Sequence, residues 1–136
     1  MLTVDDEPDA LSLVTEVLEA AGARVTRAGS ARAALTRLDV EVPDVIVADL
    51  GMPTLDGFGL IDRVRRHSNP RVREVPAAAL TAYARSEDRV KALRAGFQIH
   101  LAKPIDPAEL VTTIAALAKR FVARTDRSSE EPLGSA

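Results

Sequence analysis

The run Val45-Ile46-Val47-Ala48 is apolar at every position and stops abruptly at Asp49. A strand with one face in water alternates apolar and polar residues, so an unbroken β-branched run marks a strand covered on both faces. The segments around it repeat that theme, with short apolar runs separated by helical patterns. Upstream, Leu2 to Val4 reads as a clipped strand stopped by Asp5-Asp6-Glu7-Pro8. A helix follows, with Pro8 in its first turn, Leu11, Val14, Leu18 and Ala21 inward, and Gly22 as terminator. Ala23 to Ala28 alternates as a second strand, after which Ser30 caps a short helix through Leu38.

Downstream of Asp49, residues 51 to 57 form a loop, and Phe58 to His67 reads as a helix with Leu60, Ile61 and Val64 inward. Asn69-Pro70 breaks it, and Val75 to Leu80 makes a fourth strand ending at Thr81. Pro76 is tolerable near the start of that strand, where a missing N–H matters least. Ser86 is expected to cap a helix that ends at Gly96, with Val90 and Leu93 facing the core, and Gln98 to Ala102 forms the fifth strand. Asp106-Pro107-Ala108-Glu109 then opens a last helix running to about Val122. Five strand–helix units in about 120 residues predict an α/β fold, a doubly wound parallel sheet of flavodoxin-like (βα)5 type with strand order 2-1-3-4-5. Residues 1–122 make one domain, and residues 123–136 are expected to be a polar, disordered tail.

Composition narrows the function. Eighteen basic and 20 acidic side chains nearly cancel, which excludes nucleic-acid binding by bulk charge. With no cysteine there is no disulfide framework, thiolate metal site or cysteine nucleophile. No apolar run approaches the roughly 20 residues of a membrane span, and the N-terminus lacks a signal-peptide pattern. The expectation is a cytoplasmic domain with no membrane contact of its own. No phosphate-cradling GxxxxGK[ST] loop is present, which argues against ATP hydrolysis.

In such sheets ligands bind outside the carboxyl ends of the strands, near the switch in strand order. Those ends carry Asp5 and Asp6 after strand one, Asp49 after strand three, Thr81 after strand four and Lys103 after strand five. Three converging carboxylates repel one another unless a cation joins them. A hard divalent ion such as Mg²⁺, or Mn²⁺ in its place, suits oxygen ligands of this kind. A lysine adds a compact charge for a phosphoryl oxygen, and a threonine adds a hydroxyl donor. Each piece alone has an ordinary explanation: a turn acid, a β-forming threonine, a lysine reaching for solvent. Their arrival together at one edge is what phosphoryl transfer to a carboxylate requires.

On Val4-Asp5-Asp6-Glu7-Pro8, Asp49-Leu50-Gly51-Met52-Pro53 with Asp56-Gly57, Leu80-Thr81-Ala82 and Lys103-Pro104, the chain resembles the receiver domain of two-component response regulators over about residues 2 to 122. That resemblance implies that Asp49 is the phosphoacceptor, taking a phosphoryl group from phosphohistidine on a histidine kinase or histidine phosphotransfer partner. It further implies that Asp5, Asp6, Asp49 and the backbone carbonyl of Gly51 hold Mg²⁺. Thr81 and Lys103 would bind phosphoryl oxygens, with a cis Lys103–Pro104 bond. Such a domain signals by changing conformation; it is not an enzyme beyond handling its own phosphate, and it can pair as a homodimer through its fourth and fifth helices.

Two residues depart from the family pattern. His100 stands where a switch Tyr or Phe usually lies: it either fills the aromatic's surface slot or, as an imidazole that can titrate near neutral pH, makes switching pH-sensitive. Gly51 stands where a larger side chain often faces the site, and with Tyr83 it bears on how readily water reaches the acyl phosphate. His67 reads as a helix C-terminal cation rather than a ligand, and the arginines at 63, 65, 66, 71 and 73 as a solvated helix end. The segment from Gly96 to Pro104 resembles receivers joined to sensor kinases, favouring a hybrid histidine kinase over a stand-alone regulator as the parent. Two other readings compete. An aspartate-nucleophile phosphatase of haloacid dehalogenase type needs a second Asp two residues after the first, where this chain has Asp6 and Glu7 after Asp5. An unphosphorylated interaction module leaves the acid set unexplained.

Overall fold

A computed structural model describes residues 1–52, 55–82 and 86–119. Its elements in chain order are β1 (Leu2–Val4), α1 (Pro8–Ala20), β2 (Thr26–Ala28), α2 (Ala31–Leu38), β3 (Ile46–Asp49), α3 (Gly57–Arg65), α4 (Pro70–Arg73), β4 (Ala77–Thr81), α5 (Ser86–Ala95) and β5 (Ile99–Ala102). A further helix, α6, covers 107–119. The five strands are all parallel, in the order β2-β1-β3-β4-β5. The fold and its strand order are those the alternation of patterns predicts. The expected tail, residues 123–136, lies outside the described residues.

The central strands are buried on both faces, as their composition demands. Ile46, Ala48, Ala77 and Ala79 point to one layer with Leu60, Ile61 and Val64 of α3. Val45, Val47, Ala78 and Leu80 point to the other, with Val14 and Leu18 of α1 and Leu110, Ile114 and Leu117 of α6. The three alanines Ala77, Ala78 and Ala79 are fully buried. Their small side chains let helices sit close on both faces of the sheet.

The element ends follow from local chemistry. Ser30, Asp56 and Asp106 accept from the backbone N–H of Ala33, Gly59 and Ala108, capping α2, α3 and α6. Gly22 and Gly96, with φ of 99° and 124°, take the chain out of α1 and α5. Strand β4 starts at Ala77 rather than Val75, because Pro76 has no N–H and only its carbonyl joins the ladder, accepting from Ile46 N. Strand β2 is likewise shorter than expected, three residues ending at Ala28. Ser86 is already helical rather than a cap.

Three expectations about faces are corrected. Val90 and Leu93 of α5 are 45% and 42% exposed, and Ala92 is buried instead. The small Ala92 lets α5 lie close on its neighbours, while Lys91 spans the ring of Phe58 on α3 at 4.7 Å. On α1 the inward residues are Val14, Thr15 and Leu18, and Ala21 is exposed. Thr15 is buried because its hydroxyl meets that of Thr3 at 2.9 Å.

The third correction concerns Arg65, which is not part of a solvated basic stretch. Its guanidinium donates to the carbonyls of Gly96 (3.1 and 2.8 Å), Arg73 (2.7 Å) and Val75 (2.6 Å), and to Gln98 Oε1 at 3.2 Å. Burial pushes it below the usual arginine range. One side chain therefore ties the end of α3 to the turn before β4 and the turn before β5. Arg65→Ala is expected to cost about 2–4 kcal/mol, because several carbonyls lose their donor. Arg65→Lys should recover only part, since an ammonium cannot span the same fork. Urea unfolding of the two variants checks both, and an unchanged midpoint for Arg65→Ala would contradict the clamp.

Candidate functional site

Parallel register brings the strand ends to one edge. Val4 pairs with Ala48, Asp49 with Leu80, and Thr81 with Ala102, so the residues that follow share a rim. Asp5 and Asp49 are buried, whereas Asp6 is exposed. Carboxylate oxygens of Asp5, Asp6 and Asp49 all lie within 4.8 Å of one another. Lys103 Nζ reaches Asp49 Oδ1 at 3.2 Å and Asp5 Oδ2 at 3.3 Å. Thr81 is buried at the end of β4, and its carbonyl accepts from Lys103 N at 2.8 Å. The Lys103–Pro104 peptide is cis. All five charged and hydroxyl residues read from the strand ends are therefore brought together.

The electrostatics of this rim are those of a cation site. Burial raises the pKa of Asp5; the Glu7 N–H and Lys103 lower it, but Asp49 adds to the rise. For Lys103, burial alone would lower the pKa, yet Asp5 and Asp49 together outweigh it and hold the ammonium above its usual value. The Lys103 ammonium meets two of the three clustered carboxylates, Asp5 and Asp49. Mg²⁺ places its octahedral ligands about 2.0–2.1 Å away, so three oxygens this close need little movement to share an ion. The donor set fits a hard divalent cation.

Two glycines shape the approach. A Cβ on Gly57 would stand 2.6 Å from the Asp49 carbonyl oxygen and 2.9 Å from Leu50 Cα, both backbone atoms. Only glycine lets α3 begin this close beneath the end of β3. At Gly51 the nearest atom to a Cβ, among the described residues, would be Asp49 Oδ2 at 3.8 Å. A side chain there would face the phosphoacceptor candidate. Tyr83, its expected counterpart, lies outside the described residues.

His100 sits on β5 opposite Ala79. Its ring is partly exposed, but Nε2 is shut off from solvent with no hydrogen-bond partner among the described residues. Burial lowers its pKa from 6.5; Asp88 opposes that fall and Arg89 adds to it. A base whose pKa is lower folded than unfolded costs stability as pH falls from about 6.5 through the folded value, since the unfolded chain takes the proton first. The stability of the protein relative to His100→Phe should therefore decline on acidification across that window. Urea midpoints of the two proteins at several pH values check this; a constant difference would contradict it. His67 is no ligand: its Nε2 meets Asp39 Oδ1 at 2.8 Å and its Nδ1 accepts from Asn69 N.

Residues 1–115 match the family model described as the response regulator receiver domain. The chain belongs to the receiver-domain family of response regulators. It is 50% identical over 114 residues to an uncharacterised 14.6 kDa protein of Leptolyngbya boryana, covering 84% of this chain and 86% of that one. It is 37% identical to the transcriptional regulatory protein PrrA of Mycobacterium leprae, covering 96% of this chain but 54% of that regulator. The receiver domain thus spans about half the length of that relative. Among solved structures, the chemotaxis protein CheY4 of Vibrio cholerae is 30% identical with a TM-score of 0.79, covering 85% of this chain and 95% of that one. The signal receiver domain of a histidine kinase from Syntrophus aciditrophicus is 27% identical with a TM-score of 0.77, covering 87% and 88%. Two contributors to this receiver domain lie beyond sequence reasoning: the Arg65 clamp, and the close approach that requires Gly57.

Proposed function

We propose that this receiver domain takes a phosphoryl group from phosphohistidine of a histidine kinase or phosphotransfer partner onto Asp49, and signals through the resulting change of shape. The observation that carries the reading is Lys103, held between buried Asp5 and Asp49 at 3.3 and 3.2 Å. A carboxylate oxygen of Asp49 attacks phosphorus, the bond from phosphorus to the imidazole nitrogen breaks, and the imidazole leaves with its electron pair. Lys103 then exchanges its contact with Asp49 for a phosphoryl oxygen, and the Thr81 hydroxyl donates to another. Hydrolysis returns the carboxylate when water attacks phosphorus. Asp5, Asp6, Asp49 and the Gly51 carbonyl would hold Mg²⁺ or Mn²⁺. When bound, the ion neutralises the acids and the charge that develops on the phosphoryl group. Each of these residues holds, orients or accepts, so the domain modifies itself rather than turning over a separate substrate.

His100 takes the switch position in this reading, supported by its place on β5 opposite Ala79 and by an Nε2 that has no hydrogen-bond partner among the described residues. A partner for that nitrogen in the phosphorylated state would favour the switched shape. The exposed Val90 and Leu93 support homodimer contact through α5 and α6, the fourth and fifth long helices. Likeness to a kinase-borne receiver supports a cytoplasmic hybrid histidine kinase as the parent. Incubation with Mg²⁺ and acetyl phosphate, followed by intact mass, tests the function. One added phosphoryl group is expected, and none without the metal. Incorporation that ignores Mg²⁺, or no incorporation at all, would sink it.

A further inference from the structure

Met52 lies in the loop after β3, outside any helix or strand, yet it is only 5% exposed. Leu50 and Met52 both join the core layer of Leu60 and Ile61, and Gly51 between them is exposed. A Cβ on Gly51 would stand 3.8 Å from Asp49 Oδ2, so this glycine lies at the rim of the acid cluster. Backbone bonds fix only the upstream half of the bend. Leu50 N–H donates to the Leu80 carbonyl at 3.0 Å, and the Leu50 carbonyl accepts from Gly57 N at 3.4 Å. Among the described residues, no backbone hydrogen bond holds Gly51 or Met52. Glycine has the widest choice of backbone conformations, so a peptide held by no backbone bond wanders unless a side chain restrains it.

We propose that Met52 is a positioning residue, whose buried side chain fixes the Gly51 peptide and so holds its carbonyl ready for a divalent cation. The inference rests on the reading of that carbonyl as a metal ligand. Burying a methionine gains roughly as much as ordering one backbone position costs, so a single anchor is enough for this bend. The three carboxylates come from the ends of β1 and β3, which the sheet holds in place. The carbonyl ligand has no such frame downstream of Leu50, and the core contact of Met52 supplies it.

Two measurements test this. In the metal-free natural chain, amide nitrogen relaxation should find Gly51 as ordered as Leu50. A Gly51 amide far more mobile than that of Leu50 overturns the proposal, whether or not any variant folds. Mg²⁺ titrations then compare substitutions. Met52→Ala should raise the Mg²⁺ dissociation constant about tenfold, and Met52→Leu, of similar volume, should restore most of the affinity. Leu117→Ala opens a cavity in the opposite core layer, and should lower the urea midpoint with Mg²⁺ affinity unchanged. An unchanged dissociation constant for Met52→Ala overturns the proposal. Equal weakening by Leu117→Ala does so too, since the effect is then one of general stability. A natural chain that binds no Mg²⁺ overturns the reading of the metal site, and the proposal with it.

Discussion

Replacing Asp49 with alanine is expected to abolish phosphoryl incorporation, by on the order of a thousandfold or more, while leaving the fold intact. Asp49 ends β3 at the point where Val4, Ala48 and Leu80 bring neighbouring strands alongside. It is buried on the side that meets the core, yet its Oδ1 faces Lys103. Neither of the other two acids in the cluster is placed as Asp49 is. Asp5 is engaged by the Glu7 N–H and Lys103, and Asp6 is exposed at the outer rim. Removing one of three crowded acids also relieves repulsion, so Asp49→Ala should be at least as stable as the natural chain without metal. Intact mass after acetyl phosphate treatment measures the first effect, and urea unfolding the second. Residual incorporation near the natural level would place the chemistry elsewhere.

Replacing Lys103 with alanine should move two quantities in opposite directions. Without metal, the ammonium bridges Asp5 and Asp49 and so competes with a divalent cation for the same oxygens. Its removal should strengthen Mg²⁺ binding several-fold, because Asp5 and Asp49 lose the ammonium that pairs with both. Phosphorylation should nonetheless slow by roughly a hundredfold or more, since a preorganised cation is lost where phosphoryl charge develops. Mg²⁺ titrations and acetyl phosphate kinetics on the same variant separate the two. A fall in both would show that Lys103 only holds the acids in place. Loss of neither would remove it from the mechanism.

Much of this site was legible in the sequence, for a physical reason. Parallel strands covered on both faces carry unbroken apolar runs, so their ends are sharp, and the topology places those ends at one edge. Asp5, Asp49, Thr81 and Lys103 could therefore be grouped before any contact was known. The orientation of α5 could not be read the same way. Its ten residues hold few apolar side chains, and burying Ala92 instead of Val90 and Leu93 depends on how closely its neighbours approach. The role of Arg65 was equally hidden. Nothing distinguishes it from Arg63 and Arg66 except three carbonyls that come from distant turns. Gly57 stood in a recognisable motif, but the need for glycine comes from the backbone of Asp49 and Leu50 crossing beneath it.

The central claim is that the carboxylate of Asp49 carries the phosphoryl group. Borohydride reduces an aspartyl phosphate to homoserine, leaving a permanent mark at the modified position. After treatment with Mg²⁺ and acetyl phosphate, reduction and peptide mass mapping should find homoserine at position 49, and nowhere when Mg²⁺ is withheld. Homoserine at position 5 or 6, or unmodified peptide 49 in a protein that has gained phosphoryl mass, would contradict the account.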